Sequence, residues 1–177
     1  MTLKEVLEKA AAIICDDEID LNVQSKKRDK LVSCGNMIYQ ELTQEYVHLK
    51  TTDTLSIDDK RIYYSAFPKA VKEILSIYVN GAEVSFEQEP LFVRVDAPSG
   101  KCEVRYVYNV PEVNLSDTLT LPPQYTATIL AVGVAAEFFF RSGLSDEAIF
   151  YKNRYDTSLI NLSRKKRPLT VAYRRFI

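Results

Sequence analysis

The sequence predicts an α+β fold, a four-helix bundle with a small antiparallel β module inserted between the second and third helices. Two changes of periodicity carry this prediction. Apolar residues recur at helical spacing up to about residue 50, alternate with polar residues to about 121, and return to helical spacing from 122 to 163. The third observation is Asn80-Gly81 in the middle of the alternating stretch, the dipeptide that best fits a type I′ hairpin turn. Residues 1–50 and 122–163 are therefore expected to form the bundle, 51–121 the inserted module, and 164–177 a basic C-terminal arm.

Thr2 followed by Glu5 reads as a capping box, and Leu3, Val6, Leu7, Ala10, Ile13 and Ile14 then recur at helical spacing. The acidic run Asp16, Asp17, Glu18, Asp20 is unfavourable at a helix C-terminus, so the first helix is expected to stop near Cys15. A second, longer helix starts at about Ser25, with Leu31, Cys34, Ile38, Leu42, Tyr46 and Leu49 as one stripe. Gly35 costs that helix about 1 kcal/mol relative to Ala and marks close packing against a neighbour.

Alternation begins at about Thr51. Arg61 to Tyr64 opens the β-rich stretch, Ile74 to Val79 leads into the Asn80-Gly81 turn, and Val84 to Phe86 is the returning strand. Leu91, Val93 and Val95 alternate with Phe92, Arg94 and Asp96; after Pro98-Ser99-Gly100 come Cys102, Val104, Tyr106 and Tyr108. A sandwich or barrel-like module follows from these hairpins. Pro122 and Pro123 suit a helix start, so the third helix is expected from there through Tyr125, Ile129, Gly133, Ala136 and Phe140, apolar around most of its circumference and central in the bundle. Gly143 ends it. Ser145 is the expected cap of a fourth helix, with Asp146 and Glu147 in its first turn and Ile149, Phe150, Tyr155, Leu159 and Leu162 on its inner side.

Composition removes functions more readily than it supplies one. The apolar run Ala127 to Ala136 is shorter than the roughly 20 residues needed to cross a hydrocarbon layer, and no charged head with an apolar core opens the chain, so a soluble intracellular protein with no membrane partner is expected. One histidine and three cysteines without a Cys-x-x-Cys pair make metal and disulfide frameworks poor readings. Ser33-Cys34-Gly35 lacks a nucleophile elbow, and the one histidine, His48, is about 21 Å from Cys34 along a continuous helix. From Asp16, the sixth and twelfth positions of a calcium loop fall on Leu21 and Lys27 instead of Gly and Glu. Five glycines and no phosphate-loop motif leave little material for a nucleotide cradle. No catalytic residue, metal ligand or cofactor is therefore assigned, and a non-enzymatic role is expected.

The formal net charge of −1 conceals a gradient. Divided after residues 60 and 120, the chain has 8 basic residues against 12 acidic, then 6 against 8, then 9 against 4, so the thirds carry −4, −2 and +5. The basic excess concentrates in Arg164, Lys165, Lys166, Arg167, Arg174 and Arg175. It reads as a solvated tail, a docking arm for an acidic partner, or a patch facing nucleic acid. A small cytosolic nucleic-acid-binding protein, using this tail and the surface tyrosines Tyr63, Tyr64, Tyr78, Tyr106 and Tyr108, is the alternative function; against it, the tyrosine-bearing middle third is itself negative.

The stretch Asp117-Thr118-Leu119-Thr120-Leu121-Pro122-Pro123-Gln124-Tyr125, then Gly133-Val134-Ala135-Ala136-Glu137-Phe138, then Asp146-Glu147-Ala148 and Tyr151 to Tyr155, resembles the head-to-tail adaptor (connector) proteins of tailed bacteriophages. Upstream, Val104-Arg105-Tyr106-Val107-Tyr108 followed by Pro111 is similar to the members with an inserted β module. The resemblance covers roughly residues 60 to 162 and rests on packing motifs. It implies a structural virion protein, assembled in the host cytoplasm, that forms a homo-oligomeric ring of about twelve subunits. Such a ring docks on the portal protein and binds tail or tail-completion proteins, with DNA passing through the lumen without sequence readout. Gly133, Ala135, Ala136 and Glu137 are then the subunit or helix packing residues. Arg164, Lys165, Lys166, Arg167, Leu169, Val171, Tyr173, Arg174, Arg175 and Phe176 form the portal-docking arm, whose alternating apolar residues suit strand addition to a partner's sheet.

Overall fold

The computed structural model describes residues 1–15 and 19–163. Its architecture is α+β, with four helices and a small antiparallel β module inserted between the second and the third. Helix α1 (Leu3–Ile14) opens on the expected capping box. The Thr2 hydroxyl accepts from the Glu5 N–H at 3.2 Å, and the Glu5 carboxylate accepts from the Thr2 N–H at 3.1 Å. It buries Leu3, Val6, Leu7 and Ala10 and ends at Cys15, which is left-handed with φ 54°. Helix α2 (Lys26–Leu42) is capped by the Ser25 hydroxyl and buries Leu31, Cys34, Ile38 and Leu42.

The stripe expected to continue through Tyr46 and Leu49 is interrupted after Leu42. A π turn, Thr43–Val47, follows, and His48 turns the chain at φ 48°. The buried Thr43 hydroxyl donates back to the Tyr39 and Gln40 carbonyls, and the wider turn rotates later side chains off the helical phase. Tyr46 is left partly exposed.

Helix α3 spans Ala127–Arg141, starting later than the two prolines suggest. Pro122 instead opens a turn closed by the Tyr125 N–H on its carbonyl at 3.0 Å, which buries Tyr125 in the core before the helix begins. Gly143, at φ 78°, ends α3, with the Leu144 N–H returning to the Phe139 carbonyl at 3.0 Å. Helix α4 (Ser145–Ser163) turns Ala148, Tyr151, Tyr155, Leu159 and Leu162 inward. Ile149 and Phe150, expected on that inner side, are instead 60% and 63% exposed. The row through Tyr155 and Leu159 sets the helical phase, and at 3.6 residues per turn it leaves both on the outer surface.

Helix α3 is the central helix, in contact with α1, α2 and α4. Two glycines permit the close approaches. A Cβ on Gly35 would lie 2.8 Å from Leu7 Cδ2 and 3.0 Å from Leu3 Cδ1, where α1 crosses α2. A Cβ on Gly133 would lie 2.9 to 3.1 Å from three ring atoms of Tyr155, where α3 meets α4. Among the described residues no helix is long and apolar enough to cross a membrane.

The module contains strands β1 (Lys50–Ile57), β2 (Arg61–Tyr63), β3 (Val71–Val79), β4 (Ala82–Val84), β5 (Phe86–Gln88), β6 (Phe92–Val95) and β7 (Gly100–Tyr108). They form an antiparallel four-stranded sheet in the order β1-β7-β3-β4 and a three-stranded sheet in the order β2-β6-β5. Inward residues of both sheets, among them Ile57, Ile62, Ile77, Val93, Val95 and Val104, share one core, so the module is a sandwich. Asn80 and Gly81 both have positive φ, 51° and 81°, as a type I′ turn requires. The returning strand expected at 84–86 is two strands: the chain leaves one sheet after Val84 and joins the other at Phe86, with the Ser85 carbonyl held by the Asp96 N–H at 3.0 Å.

The module is tied to the helices along both connections. The Tyr108 N–H donates to the Leu49 carbonyl at 3.0 Å, closing the insertion. The buried amide of Asn36 on α2 brackets Val113, accepting from its N–H at 2.8 Å and donating to its carbonyl at 3.1 Å. The Tyr39 hydroxyl accepts from the Thr120 N–H at 3.2 Å.

The glycine contacts predict an asymmetry. Gly133→Ala presses a methyl group onto a rigid aromatic ring and is expected to destabilise by about 1–3 kcal/mol despite better helix propensity. Gly35→Ala meets only the ends of leucine side chains and is expected to change stability by less than about 1 kcal/mol. Urea midpoints of the two variants check this; equal losses would show that ring rigidity is not what separates the sites.

Candidate functional site

Of the residues singled out in the sequence, the arm positions Arg164, Lys165, Lys166, Arg167, Leu169, Val171, Tyr173, Arg174, Arg175 and Phe176 lie outside the described residues. The packing set is all on α3. Gly133 receives Tyr155, and Ala135 packs with Phe139 and Ala148 of the α3–α4 contact. Gly133, Ala136 and Glu137 line a groove of about 300 Å³ between α2, α3 and α4, together with Ile38, Glu41, Phe140, Ile149 and Lys152.

Ion pairs connect the helices around that groove. Glu137 accepts from Arg141 Nε at 2.6 Å, and the same guanidinium reaches across to α2, at 3.0 Å from both Ser33 Oγ and Met37 Sδ. Lys152 on α4 is 3.3 Å from Glu41 of α2 and 3.2 Å from Asp156. Burial lowers the Lys152 pKa, but Asp156 and Glu41 outweigh it, so the net shift is upward and the ammonium stays charged. Partly exposed pairs of this kind add little stability and mainly fix geometry. Behind the groove, Tyr155 is fully buried and its hydroxyl has no hydrogen-bond partner among the described residues. Burial, reinforced by Glu41, raises its pKa far above the ordinary phenol range.

The outer edge of the groove opens onto an apolar surface at the α3–α4 hairpin. Phe140 is 70% exposed and lines the groove with Ile149, and Leu144 and Phe150 are exposed on the same hairpin. Phe150 meets Tyr151 edge-on with ring centroids 5.2 Å apart, and Tyr151 stacks on Phe139 at 5.5 Å, so the surface has a rigid aromatic backing. Asp146 and Glu147, both exposed, flank it. Sequence reasoning missed this surface by assigning Ile149 and Phe150 to the interior. The available signal was the phase of Ala148, Tyr151, Tyr155 and Leu159, which leaves two adjacent large apolar residues without a core position.

The residues weighed for chemistry are dispersed. Cys34 is buried on α2, its thiol pushed up to about 11 chiefly by burial, whereas His48 is exposed beyond the π turn and Ser33 is bound by Arg141. Asp16, Asp17 and Glu18 lie outside the described residues; Asp20 accepts from the Asn22 N–H at 2.8 Å in a local turn. Among the described residues no three His, Cys, Asp or Glu side chains gather as a metal site. The tyrosines do not share one face. Tyr106 is in the module core and donates to Asp53 at 2.6 Å, Tyr63 lies on the three-stranded sheet, Tyr64 packs near Phe67, and Tyr78 and Tyr108 are half-buried on the larger sheet.

No protein-family model and no curated protein sequence matches the chain.

Two measurements check the site as described. In the native protein at pH 8, the exposed Cys15 is expected to react promptly with a thiol reagent such as DTNB, while buried Cys34 and Cys102 react only after unfolding. Three fast thiols in the native protein would contradict the burial. Tyr155→Phe removes a buried hydroxyl that has no partner among the described residues and is expected to hold stability constant or raise it by about 1 kcal/mol in urea titration; a clear loss would reveal a partner for that hydroxyl.

Proposed function

We propose that the chain is a head-to-tail adaptor subunit of a tailed-bacteriophage virion. Copies form a ring that docks on the portal protein and joins it to tail or tail-completion proteins around the DNA channel. The observation that carries this reading is the exposed apolar surface of the α3–α4 hairpin. Phe140 and Ile149 line one groove there, and with Leu144 and Phe150 they leave four large apolar side chains of one hairpin exposed, the kind of surface that marks a protein–protein contact.

Two further features support it. The motifs that carry the resemblance, 117–125, 133–138 and 146–155, occupy one continuous unit: the approach to α3, its glycine and alanine contacts, and the first half of α4. The helical body is braced by Gly133 on Tyr155 and by the Arg141 and Lys152 bridges, and a stiff body suits a subunit that holds position between two larger assemblies. DNA in such a channel meets the ring through its shape and backbone charge, without base readout.

The test is electron microscopy of the purified chain mixed with the portal protein of the same phage. Rings seated on one end of the portal are the expected outcome. An unbound portal, together with salt-sensitive retention of the chain on single-stranded DNA, would replace the adaptor reading with nucleic-acid binding.

A further inference from the structure

We propose that the basic arm, residues 164–177, of one copy docks on the apolar α3–α4 hairpin surface of a second copy, so that subunits join head to tail. This rests on the ring reading above and assigns the arm to a neighbouring subunit in place of the portal contact that the resemblance implies.

Charge is the first argument. The apolar surface is bordered by Asp146 and Glu147, neither of which forms an ion pair with another described residue. Glu137 and Glu41 line the adjoining groove, where Arg141 and Lys152 are already engaged by these two acids. Arg154, exposed beside Phe150, opposes the unpaired Asp146 and Glu147 but is outnumbered by them, so the occupant that fits is apolar and cationic. Residues 164–177 contain six Arg and Lys and no acidic residue, interleaved with Leu169, Val171, Tyr173, Phe176 and Ile177. No other stretch of the chain combines this charge with this apolar content.

Position is the second. The receiving surface lies at the start of α4, and the arm leaves from the end of that helix, at Ser163. The helix has 19 residues, so the two points are about 28 Å apart on a rigid rod. An extended arm of 14 residues spans up to about 46 Å, enough to reach a neighbour. Donor and acceptor at opposite ends of one rod make a heterologous contact, the type that closes into a ring when the rotation permits. The same arrangement gives every copy one arm to donate and one surface to fill.

The experiment uses the full chain with the photo-crosslinker p-benzoylphenylalanine placed at position 150. It is mixed in equal parts with the same protein grown in heavy isotopes, irradiated, digested and read by mass spectrometry. Crosslinked pairs joining position 150 to peptides of 164–177, including mixed light–heavy pairs, are expected. In parallel Phe150→Asp, at a position 63% exposed and so tolerant of the change, is expected to keep its circular dichroism spectrum and to weaken self-association at least tenfold by light scattering. Crosslinks confined to one isotope would mean that the arm folds back on its own chain and would overturn the proposal. Crosslinks from position 150 only to other surfaces, or undiminished association of Phe150→Asp, would overturn it too. Electron microscopy with the portal separates the two readings. Portal-bound rings with crosslinks elsewhere retain the adaptor and remove the arm's seat; mixed-isotope arm crosslinks without portal binding retain the seat and remove the adaptor.

Discussion

The contact between Gly133 and the ring of Tyr155 is the constraint on which the helical body depends. Helix α3 touches every other helix, and its approach to α4 is limited by the one position at which a ring can lie against bare backbone. That ring is fully buried, and its hydroxyl finds no partner among the described residues. With Tyr155 inward, the rest of α4 has no rotational freedom. Ala148, Tyr151 and Leu159 follow it into the core, and Ile149 and Phe150 are turned out to water. The apolar outer surface is thus a by-product of the same helical phase that seals the interior.

The polar contacts serve a different purpose. Asn36 is one of few buried polar side chains, and both ends of its amide are used on the backbone of Val113. With Tyr39 holding Thr120, it fastens the irregular 109–121 connection to α2. That connection also passes the N-terminus, where the Leu119 N–H reaches the Met1 carbonyl at 3.0 Å. Directional bonds are needed here because a segment without regular structure has no ladder to satisfy its backbone groups.

Much of this architecture was legible in the sequence. The capping box at Thr2, the helix start at about Ser25, the Asn80-Gly81 turn and the Gly143 stop are all local signals, each satisfied within a few residues, and the structure uses all four. Departures arose where a side chain's bond to its own helix or tertiary packing decided. The π turn after Leu42 is held by a threonine bonding back along the helix, and the late start of α3 follows from burying Tyr125 in a turn; neither has a signature in periodicity. The split of one expected strand into β4 and β5 depends on a second sheet that only the folded chain brings alongside. For the candidate site, the small residues of α3 were readable as packing positions, whereas the exposed surface was hidden because apolar residues were equated with interior ones.

The antiparallel pairing of β1 with β7, extended by the bond from the Tyr108 N–H to the Leu49 carbonyl, places the two ends of the β module side by side. Bringing the ends of a disordered segment of about sixty residues together costs roughly 4 kcal/mol of chain entropy. A module that has already folded presents its ends as neighbours, so α2 and α3 then behave as though joined by a short connection. A folded β sandwich thereby spares the helical bundle the closure cost of a loop of about sixty residues.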